Sequence, residues 1–330
     1  MLISLFSFLA GLILFIPVRT LALKLKITDV PDGVLKKHGE PQPYFGGVLV
    51  FLAFICGLLI EWYLVRYAVM PIYKGLLVCS LLILFIGLVD DIYRIGWGVK
   101  LAGQIIVAIV LLSYGTGIEF MFLPEWANKA LTVLWLLFTM NAFNIADVSD
   151  GVSSSVFLVF LASSYYVAFI TSDTEIMYLI LPLFGAVLSF WVFNMPKAKI
   201  FAGDSGSLFF GFMAGYIAIG LRYTAFNKFA LPAPLLFHFY LICEMGLVVI
   251  SRISAGISPF RGSPHHIPVR MKKAGVQDIR IVAFVLLISS AASVAGAAML
   301  TMKGLAPLAV SAIGAAGVFL TISVFRKIGR

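Results

Sequence analysis

Residues 75–89 read GLLVCSLLILFIGLV, an apolar run without a charged side chain that ends at Asp90 and Asp91. Similar runs recur along the chain, and about ten or eleven approach the roughly 20 residues that cross a bilayer as a helix. Of the 330 residues, 62% are hydrophobic and 12% are charged, with a mean hydropathy of +1.06. Soluble domains are about 25% charged. The sequence therefore predicts an all-α, polytopic integral membrane protein, and continuous rather than alternating runs exclude a transmembrane β-barrel.

The apolar pattern predicts a single membrane-embedded domain over residues 1–330, built almost entirely from spanning helices. We expect helices near residues 2–18, 45–65, 72–89, 101–118, 130–146, 152–171, 176–193, 205–221, 233–251, 281–302 and 305–325.

The basic residues are unevenly distributed between the two sets of loops that alternate threading produces. Most of the 24 Lys and Arg residues fall on the set that includes residues 19–44, 90–100 and 252–280. Basic loops remain in the cytoplasm, so this set is expected to face the cytoplasm. The net charge of +9 is explained by this bias, because the basic residues lie in short loops between spans, and no nucleic-acid partner is expected.

Acidic residues concentrate on the same predicted side, although only basic residues were used to assign it. They are Asp29, Asp32, Glu40, Asp90, Asp91, Asp147, Asp150, Asp204 and Asp278. A simple bias toward basic residues would not place acids there, which indicates one assembled site.

Asp90 and Asp91 come directly after an apolar helix. Adjacent carboxylates repel each other unless a cation lies between or beside them. A divalent metal, Arg94 or Lys100 could supply that charge. The structural alternative is a solvated helix end.

Polar residues recur every third position from Asn141 through Asn144 and Asp147 to Asp150. Amide and carboxylate oxygens at a helix end suit a hard cation such as Mg²⁺, which also accepts phosphate oxygens as ligands. The structural alternative, a hydrogen bond between helices, could account for either Asn by itself.

Two more loops contain polar groups on this side. Gly203-Asp204-Ser205-Gly206-Ser207 opens a helix, and free N–H groups there favour an anion, although Asp204 could simply be a helix cap. The loop 252–280 is the most basic and contains His265, His266 and Arg270. It predicts phosphate capture, with a cytoplasmic anchor as the alternative.

In this order the motifs resemble those of the polyprenyl-phosphate N-acetylhexosamine-1-phosphate transferases, in the branch similar to undecaprenyl-phosphate GlcNAc-1-phosphate transferases. Gly46-Gly47 looks like the family's first glycine pair and Asp90-Asp91 like its aspartate pair. Residues 141–151 are similar to NxxNxxDGxDG, residues 201–207 to F-M-G-D-x-G-S, and residues 258–275 to the histidine-bearing loop.

The resemblance implies specific roles for these residues. Asn144 and Asp204 correspond to ligands of Mg²⁺, for which Mn²⁺ could substitute, and Asp90 and Asp91 to catalytic carboxylates that help to deprotonate the lipid phosphate. Glu244 lies where the family usually keeps an acid. The expected substrate-binding residues are Asn141, Asp147, Asp150, Lys100, His266 and Arg270.

Three departures from the family pattern bear on these roles. Val148 follows Asp147 in place of glycine, and Ala202 replaces methionine before Gly203. The histidine loop has His265-His266 instead of a longer cluster, which argues against the branch that uses UDP-MurNAc-pentapeptide. It favours the branch that starts O-antigen, teichoic acid or related glycans.

The resemblance implies transfer of N-acetylhexosamine-1-phosphate from a UDP-sugar to polyprenyl phosphate, with release of UMP, as the first membrane step of cell-envelope glycan synthesis. The enzyme would lie in the bacterial inner membrane with its active site facing the cytoplasm. A homodimer is left open. The alternative function is an ion-coupled transporter, in which intramembrane acids bind the coupling ion.

Overall fold

A computed structural model describes residues 1–29, 42–65 and 69–328, which form thirteen α-helices and one two-stranded sheet. Asp32 and Glu40 lie outside the described residues. The helices are α1 Leu2–Lys24, α2 Gly46–Val65, α3 Val69–Tyr93, α4 Trp97–Ser113, α5 Glu125–Ala146, α6 Val152–Ile170, α7 Thr174–Asn194, α8 Gly203–Gly220, α9 Ala233–Phe237, α10 Phe239–Ser254, α11 Ile267–Lys273, α12 Asp278–Met299 and α13 Ala306–Lys327.

Within the described residues, eight helices are long and apolar enough to cross a membrane. A ninth span results if the helical segments Lys228–Phe237 and Phe239–Ser254, which meet at a bend of 62°, are counted together. The protein is therefore an all-α, multi-pass membrane protein, as predicted. This count, which rests on length and composition alone, is lower than the ten or eleven spans expected, because α4 has only 17 residues and α8 is not among the eight helices.

Two local predictions need correction. The helix expected over residues 233–251 is divided between α9 and α10, with His238 at the junction. The segment 252–280 is not one continuous loop, because α10 extends to Ser254, α11 lies within the segment and α12 begins at Asp278. The 3.6-residue apolar period that reveals a long buried helix is not evident in a helix as short as α11.

The described chain divides into two compact units. Unit 1 contains Met1–Asn144 and Tyr178–Gly220, and unit 2 contains Ile145–Met177 and Leu221–Arg330. The single membrane-embedded domain expected from the sequence stays a prediction, because two compact units can belong to one domain.

In unit 1, small residues on α8 allow α5 to approach closely. A Cβ atom on Gly211 would lie 2.4 Å from Met140 Cα, and one on Gly215 would lie 2.6 Å from Thr139 Oγ1. The indole N–H of Trp135 donates to the Gly215 carbonyl oxygen at 3.2 Å. This close packing brings the end of α5 beside the start of α8.

The segment before α8 is anchored by extended backbone. Strand β1, Thr28–Asp29, pairs antiparallel with β2, Gln42–Pro43. The Phe201 N–H then donates to the Pro43 carbonyl oxygen at 2.9 Å, and the Gly46 N–H donates back to the Phe201 carbonyl oxygen at 2.9 Å. These bonds hold the residues that lead into Gly203 against the N-terminus of α2.

Candidate active site

Four helix ends of unit 1 bring charged and amide side chains together. The Lys100 ammonium, near the start of α4, lies 2.6 Å from Asp90 Oδ2 at the end of α3 and 3.1 Å from Asp204 Oδ2 at the start of α8. The Asn144 amide, near the end of α5, donates to Asp204 Oδ1 and, at 3.0 Å, to Ser207 Oγ. Residues far apart in the sequence thus form one connected cluster around Asp204.

The cluster combines buried and accessible groups. The side chain of Asp90 is 7% exposed, whereas those of Lys100 and Asp204 are 16% and 26% exposed. A dissolved substrate can therefore reach Lys100 and Asp204, while partial burial strengthens the electrostatic interactions between them.

Asp91 has different partners from Asp90. Its Oδ1 atom accepts the Asp204 N–H at 2.7 Å, and its Oδ2 atom accepts the Ser205 N–H at 3.1 Å. Two adjacent carboxylates are thus stabilised in different ways, Asp90 by an ammonium group and Asp91 by the first N–H groups of α8. The expected repulsion between them is offset without a shared cation.

Glycine residues allow backbone segments to approach the start of α8. A Cβ atom on Gly47 would lie 2.3 Å from the Gly206 nitrogen, and one on Gly87 would lie 2.4 Å from Ser205 Cα. Real Cβ atoms do not approach backbone atoms so closely. Residues with side chains at these positions would push α2 and α3 away from the segment that carries Asp204.

Substitution of Gly87 by alanine tests this packing. We expect a loss of about 1–3 kcal/mol in unfolding free energy, the usual cost of overpacking, because the new methyl group meets backbone rather than a movable side chain. The measurement is thermal unfolding of the purified protein in detergent. Gly98→Ala is the matched control, because a Cβ atom there meets nothing within 4 Å. Equal midpoints for the two variants would contradict the expected overpacking.

Asn141 lies one turn before Asn144 and forms hydrogen bonds to the neighbouring helix α4 and to its own helix. Its amide nitrogen donates to Gln104 Oε1 at 2.7 Å and to the Leu137 carbonyl oxygen at 2.8 Å. The bond to Gln104 joins two helices, which is the structural alternative for an Asn of this stretch. The substrate-binding role of Asn141 stays a prediction. Gln104 was not identified from the sequence, although a polar residue four positions after Lys100 in an apolar helix could have indicated it.

Asp147 and Asp150 belong to unit 2, in the turn between α5 and α6. The Ser153 hydroxyl donates to Asp147 Oδ1. Gly151 ends the turn with φ of +72°, a left-handed conformation that glycine adopts without strain. The structure thus gives Asp147 a local partner, and the expected roles of both acids toward a nucleotide-sugar stay predictions.

Glu244 connects two parts of unit 2. Its carboxylate is fully buried, lies 2.8 Å from His266 Nδ1 and accepts the Ile267 N–H at 2.9 Å. One carboxylate oxygen thus accepts an N–H at the start of α11, which has no partner within that helix, and the other orients the His266 ring. This contact explains an acid inside an apolar helix, which the sequence had left unexplained.

The arginines of the basic segment mainly contact backbone oxygens. Arg270 Nη1 donates to the carbonyl oxygens of Phe325 and Ile328, each at 3.0 Å, and so caps the end of α13. Arg252 donates to Ser263 Oγ at 2.9 Å and to the Pro259 carbonyl oxygen at 2.6 Å. These contacts order the segment, and the expected phosphate contacts of Arg270 and His266 stay predictions.

His265 and Tyr44 lie outside the spans, and the pKa of each is shifted. Partial burial, together with the positive charge of Arg270 and Lys273, lowers the pKa of His265, so this imidazole is neutral at pH 7. In unit 1, burial raises the pKa of Tyr44 and its hydrogen bond to Asp29 raises it further, so the phenol keeps its proton. Neither group adds charge to its surroundings at neutral pH.

A hard divalent cation fits the donors around Asp204. In the part of the chain that the structure describes, no three His, Cys, Asp or Glu side chains form a metal centre by themselves. A cation beside Asp204 would draw on oxygen donors of other kinds as well, such as the side-chain amide of Asn144. Carboxylate and amide oxygens are suitable ligands for Mg²⁺, and the Lys100 ammonium shows that Asp90 and Asp204 accept a positive charge between them.

Comparisons with known proteins identify the family. A family model described as glycosyl transferase family 4 matches residues 73–222. A phospho-N-acetylmuramoyl-pentapeptide-transferase of Clostridium beijerinckii is 31% identical over 306 residues, which span 84% of this chain and 88% of that protein. The chain belongs to glycosyl transferase family 4. The family resemblance expected from the motifs is therefore confirmed.

Two other relatives of this chain are named as transferases that act on polyprenyl phosphates. A protein of Bacillus subtilis named as a probable undecaprenyl-phosphate N-acetylglucosaminyl 1-phosphate transferase is 28% identical over 75% of this chain and 70% of its own length. A decaprenyl-phosphate N-acetylglucosaminephosphotransferase of Mycobacterium tuberculosis is 28% identical over 94% of this chain and 85% of its own length. All three relatives are transferases, which supports an enzyme and gives no support to a transporter.

Proposed function

We propose that this member of glycosyl transferase family 4 transfers N-acetylhexosamine-1-phosphate from a UDP-sugar to polyprenyl phosphate. One observation carries the proposal, namely the cluster of Asp90, Lys100, Asn144 and Asp204 at adjoining helix ends of unit 1. Phosphoryl transfer requires chiefly positioning and charge, and this cluster supplies both. The names of the relatives indicate the acceptor lipid and the class of sugar.

In the proposed reaction a phosphate oxygen of the lipid attacks the β-phosphorus of the UDP-sugar. A new P–O bond forms, the bond from the β-phosphorus to the oxygen shared with the α-phosphorus breaks, and UMP leaves with that oxygen. Lys100 binds and orients phosphate oxygens. One carboxylate of the pair Asp90 and Asp91 removes any proton that remains on the lipid phosphate.

Asn144 and Asp204 would hold Mg²⁺, or Mn²⁺ in its place. When bound, this ion supplies positive charge that offsets the charge of the pyrophosphate. The Asn144 amide, which also donates to Ser207 Oγ, donates to one oxygen of the Asp204 carboxylate, and Lys100 contacts the other oxygen. The geometry of the protein groups is thus established before a substrate arrives.

The cluster is proposed to face the cytoplasm of a bacterial inner membrane. Most Lys and Arg residues lie in loops on the side where α3 ends and α8 begins, and such loops remain in the cytoplasm. UDP-sugars are soluble and would enter from that side. A homodimer, which the sequence left open, is not required by this reaction.

An assay with defined substrates tests the proposal. Purified protein is incubated with undecaprenyl phosphate and radiolabelled UDP-GlcNAc, and labelled lipid and UMP are measured. We expect the two products in equal amounts, because each transfer releases one UMP. Competition by UDP-GalNAc and UDP-MurNAc-pentapeptide then identifies the preferred sugar. UMP release without labelled lipid, or no product from any of these donors, would contradict the proposed function.

A further inference from the structure

Although Asp90 and Asp91 are neighbours in the sequence, the structure assigns them different tasks. We infer that Asp91 is a positioning residue that holds the start of α8 and thereby fixes Asp204 within the cluster. The inference rests on the proposed function for its kinetic consequences, but the contact itself is a property of the fold.

The first observation is the bonding of the Asp91 carboxylate. Its two oxygen atoms accept the N–H groups of Asp204 and Ser205 at 2.7 and 3.1 Å. The first N–H groups of a helix have no partner within the helix, and a negative charge is stabilised at this end. Asp91 on α3 therefore caps α8 from a distant part of the sequence, and its partners include the backbone of Asp204 itself.

The second observation is that the backbone leaves room for this carboxylate. Gly203 has φ of +70°, and a Cβ atom there would lie 2.6 Å from Asp91 Oδ2 and 2.8 Å from Oδ1. A residue with a side chain at position 203 would displace the carboxylate and would be strained as well. Gly87, one turn before Asp91 on α3, brings that helix close enough for the contact.

These contacts separate Asp91 from the proton-transfer step. Both of its oxygen atoms are engaged by backbone donors, whereas Asp90 is directed at Lys100. Of the two carboxylates, Asp91 is thus the one held by the backbone at the start of α8. Asp91 acts on the reaction through the position of Asp204.

The pH dependence of Asp91→Asn separates positioning from base catalysis. The substitution replaces one carboxylate oxygen by an N–H₂ group, which would face a backbone N–H donor at the start of α8. Two donors repel each other, and a displacement of Asp204 by about 1 Å would lower kcat about 100-fold. Transfer is measured from about pH 5.5 to about pH 8.5, which spans the second pKa of a phosphate monoester, about 6. The activity ratio of variant to wild type should stay constant across this range.

A base would give a different profile. At high pH the lipid phosphate carries no proton, so loss of its base would matter little, and the ratio for Asp91→Asn would rise toward one. That rise would overturn the inference.

Gly203→Ala supplies a second variant that leaves every charged group in place. It should also lower kcat with an equally constant ratio, although the new Cβ meets the Tyr44 carbonyl oxygen at 2.8 Å as well. Because both changes disrupt the contact of Asp91, the double variant should lose less activity than the two single losses combined. Gly115→Ala is the control, since Gly115 also has positive φ, +81°, but a Cβ atom there meets nothing within 4 Å. If Asp91→Asn does not fold, Gly203→Ala carries the test, and activity equal to that of Gly115→Ala would overturn the inference.

The unfolding of these variants is a readout that does not depend on transfer. In detergent, Asp91→Asn and Gly203→Ala should each lower the unfolding midpoint, and the shift of the double variant should be smaller than the sum of the two single shifts. If the wild-type protein transfers no sugar phosphate, the proposed function fails, and the midpoints still test the contact. Additive midpoint shifts would contradict the contact even in an active enzyme.

Discussion

Replacing Asp204 by asparagine is expected to lower the rate of transfer at least about 1,000-fold, a loss of several kcal/mol of transition-state stabilisation. Asp204 lies at the centre of the cluster, because Lys100, Asn144 and the proposed cation all depend on its carboxylate. Asparagine has nearly the same volume but no negative charge. The measurement is the formation of labelled lipid at saturating UDP-sugar, together with thermal unfolding to show that the variant is folded.

Glu125→Gln is the matched control for this substitution. Glu125 begins α5, the helix that carries Asn144 near its other end, and its side chain is 81% exposed and paired with Lys129 at 2.5 Å. Exposed ion pairs contribute little to stability, so this variant should keep the wild-type rate. A folded Asp204→Asn protein with a rate close to that of the control would refute the central role of Asp204.

Removal of divalent metal is expected to stop transfer completely. Asn144 and Asp204 offer oxygen donors to a hard cation, and without the ion the charge of the pyrophosphate is opposed mainly by Lys100. The measurement is the rate after treatment with EDTA, followed by titration with Mg²⁺ and separately with Mn²⁺. Either ion should restore activity.

Two controls make the chelation experiment specific. EDTA that has been saturated with Mg²⁺ beforehand should not inhibit, which separates chelation from damage by EDTA itself. Asn144→Ala should need a higher Mg²⁺ concentration for its half-maximal rate, because one ligand is missing. An undiminished rate in metal-free protein would refute the proposed cofactor.

The spanning helices could be predicted because a bilayer imposes a simple requirement on the sequence. A segment that crosses it must satisfy its backbone internally and present apolar side chains, so α2 and α6 begin and end within one residue of their predicted bounds. The bend at His238 was missed because α9 and α10 together read as one apolar run. The short helix α11 was missed because its start depends on the Glu244 carboxylate, which is distant in the sequence.

The candidate site was predictable as a set of residues, but the partners within it were not. The residue types and their placement at helix ends indicated Asp90, Asp91, Asn144 and Asp204. The partners of Asn141 and Arg270 could not be derived in the same way, because they are set by neighbouring helices. Asn141 bonds to Gln104, and Arg270 caps α13.

The sequence by itself determined that the chain is a bundle of membrane-spanning helices and that acids, amides and a lysine gather at their ends. Only the tertiary structure decided how Asp90 and Asp91 differ. Adjacent residues on a helix point about 100° apart, so one carboxylate meets Lys100 and the other meets the first N–H groups of α8. That difference depends on which helices pack against α3, and the order of residues along the chain does not specify it.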